Sequence, residues 1–245
     1  MANDSGLFHT REELESEGWE LQGNHFVRGG ERMLPLYEAK MVHHFDHRLG
    51  TYEGQTQAQA NMGTLPRLAL EQKRDPGCSV IPRYWVAEEE VSARLEGRWD
   101  RGWLLGWRDI ARSTDERTAI FGWIPRVGVG HTWPIVFSPV ENIACFYANM
   151  SAFVLDYCLR QKMGGTHLTY GYLKQLPVLH PSAYRKPAPW ESRVELQEWV
   201  TSRVLELSYT TWEMAPLAHD MGKGGAPFQW DEERRFVMRA ELDAA

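Results

Sequence analysis

Residues 140–181 contain a helix-forming pattern, then a glycine pair, and then a segment that ends at a proline. This order limits what the segment can fold into. Apolar side chains recur there at three- and four-residue steps, which predicts one helix over residues 140–163 with these side chains on one face. The members of that face are Phe146, Met150, Phe153, Val154, Tyr157 and Cys158. Gly164 and Gly165 can adopt the left-handed conformation that closes a helix. We therefore expect residues 164–167 to form a polar loop at the helix end.

The end of this helix and the segment after it contain bases and no acids. Residues 157–186 contain no Asp or Glu, and their bases are Arg160, Lys162, Lys174, Arg185 and Lys186. A basic segment with a glycine-rich loop suits the backbone of a polyanion, although a solvated cationic helix end would have the same composition. The net charge of the chain is −6, but residues 32–190 hold nineteen bases against fifteen acids. DNA binding is therefore compatible with the middle of the chain.

Length and cysteine content narrow the class of protein. A chain of 245 residues can form one sizeable core, or one domain with an appended subdomain. It has no apolar run of about 18 residues and no basic start followed by an apolar stretch, so we expect neither a membrane span nor a secretion signal. Cys78, Cys145 and Cys158 lie far apart. This spacing favours a cytoplasmic location and argues against disulfides or a zinc ribbon.

Two stretches around the glycine pair match a known pattern. Residues 147–156 read YANMSAFVLD, and the chain continues to LRQKMGGTHLTYGYLKQLPVLHP. This run resembles the closing motif of target-recognition domains in restriction–modification enzymes, where an Asn-Ser helix leads to a Gly-rich turn and then to L-K-x-L-P-V. Such domains occur in type I specificity subunits and in the C-terminal parts of single-chain (type IIG-like) DNA adenine methyltransferases. Asn149 and Ser151 stand for the Asn-Ser pair, with Met150 between them.

Two further motifs carry the same resemblance. LPLYEAKMVHHFDHR, at residues 34–48, is similar to the family's L-P-L-Y-E-G-K-M-I-H-Q-F-D-H-R, with Ala39 in place of a Gly. WRDIARSTDERT, followed by PRVGVGHTWP, is similar to F-R-D-I-A-R-S-T-N-E-R-T and P-R-V-G-V-G-H-T-x-P, with Trp107 for Phe and Asp115 for Asn. The planar fork of arginine matches guanine O6 and N7 and also phosphate oxygens. A bridge within the chain to Asp109 or Glu116 is the competing role for each arginine.

The histidine-rich part of the first motif has a second interpretation. His43, His44, Asp46 and His47 suggest a metal-dependent hydrolase, but the H-x-H-x-D-H pattern of such enzymes needs a histidine where Val42 stands. In an extended segment, neighbouring histidines also point to opposite faces. A structural strand whose histidines bond to nearby backbone is a further possibility. A protein-interaction module with a tryptophan-rich surface is the other alternative for the chain as a whole.

The resemblance implies an α+β fold: a mixed, twisted β-sheet with flanking helices and a C-terminal helical segment. We expect residues 1–31 to be an acidic linker leading into a hairpin at Gly23-Asn24, residues 32–181 to be the target-recognition domain, and residues 182–245 to be a spacer-like helical segment. Strands are predicted at WLLGW and TAIFGWIP, and helices at residues 88–98, 190–212 and 231–245.

The resemblance also implies a function in DNA recognition. The residues expected to contact DNA are Lys40, His44, Arg48, Arg108, Arg112, Arg117, Arg126, Lys162, Thr166, His167, Tyr170 and Lys174. The chain has neither the (N/D/S)-P-P-(Y/F/W) tetrapeptide of adenine-N6 methyltransferases nor a nuclease or nucleophile-elbow motif. We therefore expect no catalytic, metal-ligating or cofactor-binding residue in it. The expected partners are double-stranded DNA and a methyltransferase domain of the same parent chain, which would bind S-adenosylmethionine.

Overall fold

The structure is a computed structural model that describes residues 4–140 and 142–245. Its strands are β1 Glu20–Gln22, β2 His25–Arg28, β3 Glu31–Tyr37, β4 Trp85–Ala87, β5 Trp103–Trp107, β6 Phe121–Pro125, β7 Gly128–Val129, β8 Ile135–Val136, β9 Pro187–Ala188 and β10 Glu191–Glu195. Its α-helices are α1 Arg11–Ser16, α2 Gln57–Asn61, α3 Leu70–Arg74, α4 Glu88–Leu95, α5 Ile143–Ser151, α6 Phe153–Lys162, α7 Tyr170–Leu173, α8 Leu196–Ser208, α9 Ala215–Asp220 and α10 Glu232–Ala244. Short 3-10 helices lie at Asp4–Leu7, Ala39–Met41, Pro181–Arg185 and Trp212–Met214.

The strands form a five-stranded, a three-stranded and a two-stranded sheet, and helices surround them. In the first sheet β1, β2, β3 and β4 are antiparallel neighbours in that order, and β7 adds to β3 in parallel. The second sheet has the order β6-β5-β8 and is antiparallel, and β9 pairs with β10 in the third. The predicted α+β class and the mixed sheet are confirmed.

Several local predictions are also confirmed. Gly23, at a φ of 64°, turns β1 into β2, which is a conformation that glycine adopts at little cost. WLLGW forms β5, and the second predicted strand begins at Phe121 as β6. Both strands are buried along their whole length. The short charged helix predicted at residues 88–98 is α4, which buries Val91 and Leu95 one turn apart.

A slot between two glycines fixes one loop of the second sheet. Gly106 of β5 and Gly122 of β6 stand opposite each other in the ladder, and the indole of Trp133 lies against both. A Cβ at Gly106 would come within 2.4 Å of Trp133 Nε1, and a Cβ at Gly122 within 3.2 Å of its ring. Real Cβ atoms do not approach to 2.4 Å, so Gly106 admits only glycine while Trp133 stays in place. A Cβ at Gly122 would also come within 2.6 Å of Val42 Cγ1, so this position excludes a side chain as well. Trp133 thereby holds the segment that follows β7 against the end of β5.

The long apolar helix predicted over residues 140–163 is two helices. The chain breaks at Ala152, whose ψ of 147° is extended, so α5 and α6 have different directions. The break shifts the buried face of α6 to Leu155, Asp156 and Leu159, and it leaves Phe153, Val154 and Tyr157 exposed. The prediction of one continuous helix whose apolar side chains all share a face was therefore wrong. Gly164 and Gly165 also do not adopt the left-handed conformation. α6 ends at Lys162, and the residue after it, Met163, has an extended backbone.

The C-terminal part is more varied than the sequence indicated. Residues 191–195, predicted as the start of a helix, form β10, and the helix α8 begins at Leu196. Residues 214–230, which lie between two predicted helices and were not themselves predicted to be helical, contain α9. The last helix, α10, is confirmed and begins after Asp231, whose carboxylate accepts from the backbone N–H of Arg234.

The C-terminal helices share the main hydrophobic core with the second sheet. Val204 of α8, Leu217 of α9 and Met238 of α10 belong to the same buried cluster as Trp103 and Phe121. The spacer role expected for residues 182–245 stays a prediction, but these residues pack as part of the fold. Within residues 4–140 and 142–245, no helix combines the length and the apolar character needed to cross a bilayer.

One strained residue joins the first motif to the C-terminal helix. Phe45 has a φ of 57°, which is uncommon for a residue with a side chain. The hydroxyl of Tyr147 accepts from its N–H at 2.6 Å, and Arg235 of α10 donates to its carbonyl oxygen at 2.8 Å. Arg235 also donates to Leu207 O at 2.7 Å and is itself buried. These bonds hold Phe45 in its strained conformation.

Candidate nucleic-acid interface

Residues 108–118, named here the arginine loop, leave the end of β5. Arg108 continues the ladder, because its N–H donates to Ile120 O at 2.8 Å. Its side chain is half-buried and donates from Nη2 to Val42 O at 2.7 Å. Burial lowers the pKa of Arg108 below its usual value, yet a guanidinium stays charged at neutral pH. Arg108 therefore joins the arginine loop to the first motif.

Residues 164–169, named here the glycine loop, lie directly beside the arginine loop. The N–H of Ala111 donates to Thr166 O at 3.1 Å, and the N–H of Leu168 donates to Asp109 O at 2.7 Å. Asp109 also lies 2.8 Å from His167 Nδ1 through its carboxylate. Two motifs more than fifty residues apart in sequence thus form one continuous surface.

A third segment borders this surface. The N–H of Asp109 donates to Thr132 O at 2.9 Å, and the neighbouring Trp133 sits in the slot between Gly106 and Gly122. His131 is exposed at this place. It was not among the residues expected to contact DNA, although the match of the VGVGHT segment to the family motif was a signal that could have included it.

A buried carboxylate organises the far half of the arginine loop. Asp156 accepts from the N–H groups of Thr118 and Ala119, both at 2.7 Å. It also accepts from Arg160 Nε at 2.7 Å. The other two nitrogens of Arg160 donate to Ser113 O, Asp115 O and Glu116 O at 3.0, 2.6 and 2.6 Å. Three carbonyl oxygens bound by one guanidinium fix the path of the loop. Neither Asp156 nor Arg160 was singled out by the sequence analysis as a residue of the site.

The side chain of Arg117 is bound within the protein and is not free. Its guanidinium donates to Ser151 O, lies 3.8 Å from Asp156 and stands 4.3 Å from the centre of the Phe153 ring. Burial lowers the pKa of Arg117 below its usual value. Arg117 is therefore bonded within the chain, but to Ser151 and Asp156 and not to Asp109 or Glu116, the partners considered as the competing role.

Six of the twelve residues expected to contact DNA are exposed around these two loops. They are Arg112, Lys162, Thr166, His167, Tyr170 and Lys174, named here the candidate face. Tyr170 packs edge-on against Trp107 with ring centres 4.9 Å apart, so its position is fixed although its ring is more than half exposed. In the described residues, no ion pair involves Arg112, Lys162 or Lys174. The face therefore offers three cations that no carboxylate neutralises directly.

Arg48 and His44, expected on the DNA face, are inside the protein, and this is a correction. Arg48 is 0% exposed, and it donates to the carbonyl oxygens of Lys73, Asp75 and Cys78 at 2.8, 3.0 and 2.8 Å. It thus satisfies carbonyls at the end of α3, which lacks further helical donors. His44 is 6% exposed. Neither side chain reaches the surface that a duplex could touch.

Arg126 and Lys40 are half-buried and lie outside the candidate face. Arg126 follows β6 at the end of the β5–β6 ladder opposite to Arg108, about 20 Å away by strand rise. Its Nη2 lies 3.3 Å from Ser92 Oγ of α4. Lys40 lies 3.6 Å from the carboxylate of Glu38 and 5.0 Å from the centre of the Tyr52 ring. Arg126 is therefore placed away from the two loops.

The histidine-rich motif does not assemble a metal site. Asp46 accepts from Lys73 Nζ at 2.6 and 2.7 Å, whereas His47 bonds to Thr211 Oγ1 at 3.1 Å. Burial and the charge of Arg108 lower the pKa of His43 to about 4. In the part of the chain that the structure describes, no three His, Cys, Asp or Glu side chains form a group that could hold a metal ion. The hydrolase alternative gains no support from this geometry.

The fold also does not present the tryptophan-rich surface that the alternative of a protein-interaction module predicts. Eight of the eleven tryptophans are buried, and only Trp190 and Trp212 are exposed.

Comparison with protein-family models, with curated proteins and with solved structures gave no match. The geometry of the two loops and the motif resemblance therefore carry the functional argument.

Proposed function

We propose that this chain is a sequence-specific DNA-recognition domain of a restriction–modification DNA methyltransferase, directing adenine-N6 methylation by a catalytic domain of the same parent. One observation carries the proposal: the arginine loop and the glycine loop, which hold two of the three motifs, are hydrogen-bonded side by side. The surface at these loops exposes Arg112, Lys162 and Lys174, and in the described part of the chain none of the three forms an ion pair with a carboxylate. A surface of this kind suits a duplex, since phosphates need cations and base edges need planar donors.

The residues of the candidate face divide by chemistry. Lys162 and Lys174 are point charges that suit phosphate oxygens, and such contacts position a protein without reading sequence. Arg112 has the fork that guanine O6 and N7 accept, and one good bidentate contact contributes about 1–3 kcal/mol of discrimination. Thr166 and His167 can donate or accept at base edges. Any S-adenosylmethionine would be bound by the catalytic domain, to which none of these side chains is assigned.

Binding of the 245-residue chain to duplex DNA tests the proposal. We expect the logarithm of the affinity to fall linearly with the logarithm of salt concentration, by about 0.9 for each phosphate contacted. Arg112→Ala should weaken binding, and Arg126→Ala, the matched control at the far end of the β5–β6 ladder, should not. Salt-independent binding, or equal losses in both variants, would contradict the proposal.

Methylation mapping in the parent enzyme separates reading from positioning. We expect Arg112→Ala to change the methylated sequence or abolish methylation in a folded protein. Lys174→Ala should lower affinity evenly for all sequences, as a phosphate contact does. A change of sequence preference with Lys174→Ala, or unchanged site usage with Arg112→Ala, would remove these assignments.

A further inference from the structure

A cleft of about 440 Å³ lies between α10, the junction of α5 and α6, and the turn at residues 43–45. Its walls include His44, Arg117, Ser151, Phe153 and Phe236. Arg117 belongs to the arginine loop, so the cleft begins where that loop ends. The volume lies in the range of small-molecule sites, which is about 300–1,000 Å³.

The wall of this cleft contains several unsatisfied polar atoms. Both ring nitrogens of His44 and Oγ of Ser151 are enclosed and have no hydrogen-bond partner in the described part of the chain. Arg117 Nε, also enclosed, makes only the 3.8 Å ion pair with Asp156. Ser151 and His44 are only 7% and 6% exposed. About 90% or more of buried polar groups in proteins are paired. Two side chains with unpaired polar atoms in one wall, His44 and Ser151, therefore indicate an occupant that donates and accepts hydrogen bonds after small side-chain adjustments.

Two aromatic rings stand at the opening of the cleft. Phe153 of α6 and Phe236 of α10 are 60% and 67% exposed, which is unusual for phenylalanine. The guanidinium of Arg117 lies against the Phe153 ring at 4.3 Å. Exposed rings of this kind bind planar groups by stacking.

The charges around the cleft are balanced. Arg117 and Arg239 are offset by Glu116 and Asp243, so neither an anion nor a cation is preferred. Burial lowers the pKa of His44 well below its usual value, and it lowers that of His43 to about 4. Both imidazoles are therefore neutral at pH 7, and each has one donor and one acceptor nitrogen. A neutral ligand with donor and acceptor edges fits this wall.

We propose that the cleft binds a neutral nucleobase, stacked against Phe153 or Phe236 and hydrogen-bonded to His44, Arg117 or Ser151. Nucleobases combine the two features that the walls require, a planar aromatic ring and an edge of donors and acceptors, and proteins read extruded bases by the same two contacts. The base has two possible sources. One is a free base or nucleoside, and the other is a base extruded from a duplex on the candidate face; the second source rests on the proposed function.

Titration of the full chain with adenosine, guanosine, cytidine and thymidine, followed by ligand-observed NMR, tests the first source, with ribose as the negative probe. At least one nucleoside should bind. Phe236→Ala should weaken it roughly tenfold, as loss of one stacking contact does. Val237→Ala, on the same helix but outside the cleft, is the matched control and should leave binding unchanged. Ser151→Ala should weaken binding roughly threefold to tenfold, as loss of one hydrogen bond does, without lowering the Tm.

A second titration tests the DNA source with two duplexes of equal length, one fully paired and one with a single bulged base. A preference for the bulged duplex that Phe236→Ala removes and Val237→Ala retains assigns the base to DNA. Nucleoside binding without that preference assigns the cleft to free bases. The inference is overturned if neither nucleosides nor the bulge bind in a Phe236-dependent way, even when the paired duplex binds. If neither duplex binds but nucleosides do, the proposed function fails and the cleft assignment stands.

Discussion

Two regions of this protein have nearly the same sequence character and opposite structural roles. The turn at residues 43–48 and the arginine loop both combine acids with basic or histidine side chains in a few positions. In the turn, Arg48 is fully buried and binds three or more carbonyls of a distant segment, whereas Arg112 in the loop is exposed. What differs is the nearby backbone: the end of α3 has carbonyls without helical donors, whereas in the described residues the guanidinium of Arg112 donates to no carbonyl oxygen. A motif rich in polar side chains therefore does not by itself indicate an exposed surface.

The largest difference between the two regions should be in stability. Arg48→Met leaves several carbonyl oxygens in the interior without a donor, and we expect a loss of about 3–5 kcal/mol in the free energy of unfolding. Arg112→Met, at an exposed position, should change it by less than about 0.5 kcal/mol. Urea unfolding of both variants measures the contrast. Equal losses would show that the two arginines have the same role.

The glycine slot offers a way to disturb the candidate face from beneath. Gly106→Ala places a methyl group 2.4 Å from Trp133 Nε1 and 2.6 Å from Pro134 O, and we expect it to cost about 3 kcal/mol. Displacing Trp133 also moves Thr132, which bonds to Asp109, so DNA affinity should fall in the fraction that remains folded. Gly164→Ala has free space around it and an ordinary backbone conformation. Gly164→Ala should therefore keep wild-type stability in urea unfolding. A loss equal to that of Gly106→Ala would contradict the claim that Trp133 excludes a side chain at Gly106.

Acid should weaken the histidine-rich turn selectively. An unfolded imidazole protonates near pH 6.5, but burial lowers the pKa of His43 in the fold to about 4. Between these values the folded state binds fewer protons, so stability present at pH 7 is lost as pH falls from 6.5 to 4, by about 3 kcal/mol. Unfolding of His43→Gln at pH 7 and pH 4.5 should show a smaller acid loss than wild type. His131→Gln, at an exposed position, should behave as wild type does.

The smallest expected change in stability concerns Arg160, whose guanidinium fixes the path of the arginine loop. Arg160→Met removes the donors for Ser113, Asp115 and Glu116 carbonyls, all in an exposed loop that water can reach. We expect a loss of about 1 kcal/mol in stability, together with faster hydrogen exchange of residues 112–119. DNA affinity should fall although Arg160 itself is not part of the candidate face. Unchanged exchange in the loop would show that Asp156 alone fixes its path.

Much of the fold follows from short-range patterns in the sequence. The hairpin at Gly23, the apolar runs of β5 and β6 and the helix after Asp231 all depend on turn residues and periodicity within a few positions. The break at Ala152 does not, because neither Pro nor Gly marks it. Pairing with residues 187–188, rather than the local apolar pattern, makes residues 191–195 a strand.

The site was predictable only in part, for a similar reason. The motifs identify both loops, but the burial of Arg48 depends on carbonyls 25–30 residues away. The same holds for Asp156, which acts on residues 37 and 38 positions earlier. No local signal distinguishes such long-range contacts from solvent exposure.

The bond between Arg235 and Phe45 has a practical consequence for chimeras of this domain. Exchanging the first motif between related domains, without exchanging the last helix, would leave the strained Phe45 carbonyl and the interior guanidinium without each other. The two segments stand 190 positions apart, yet they should be inherited, swapped and redesigned as one unit.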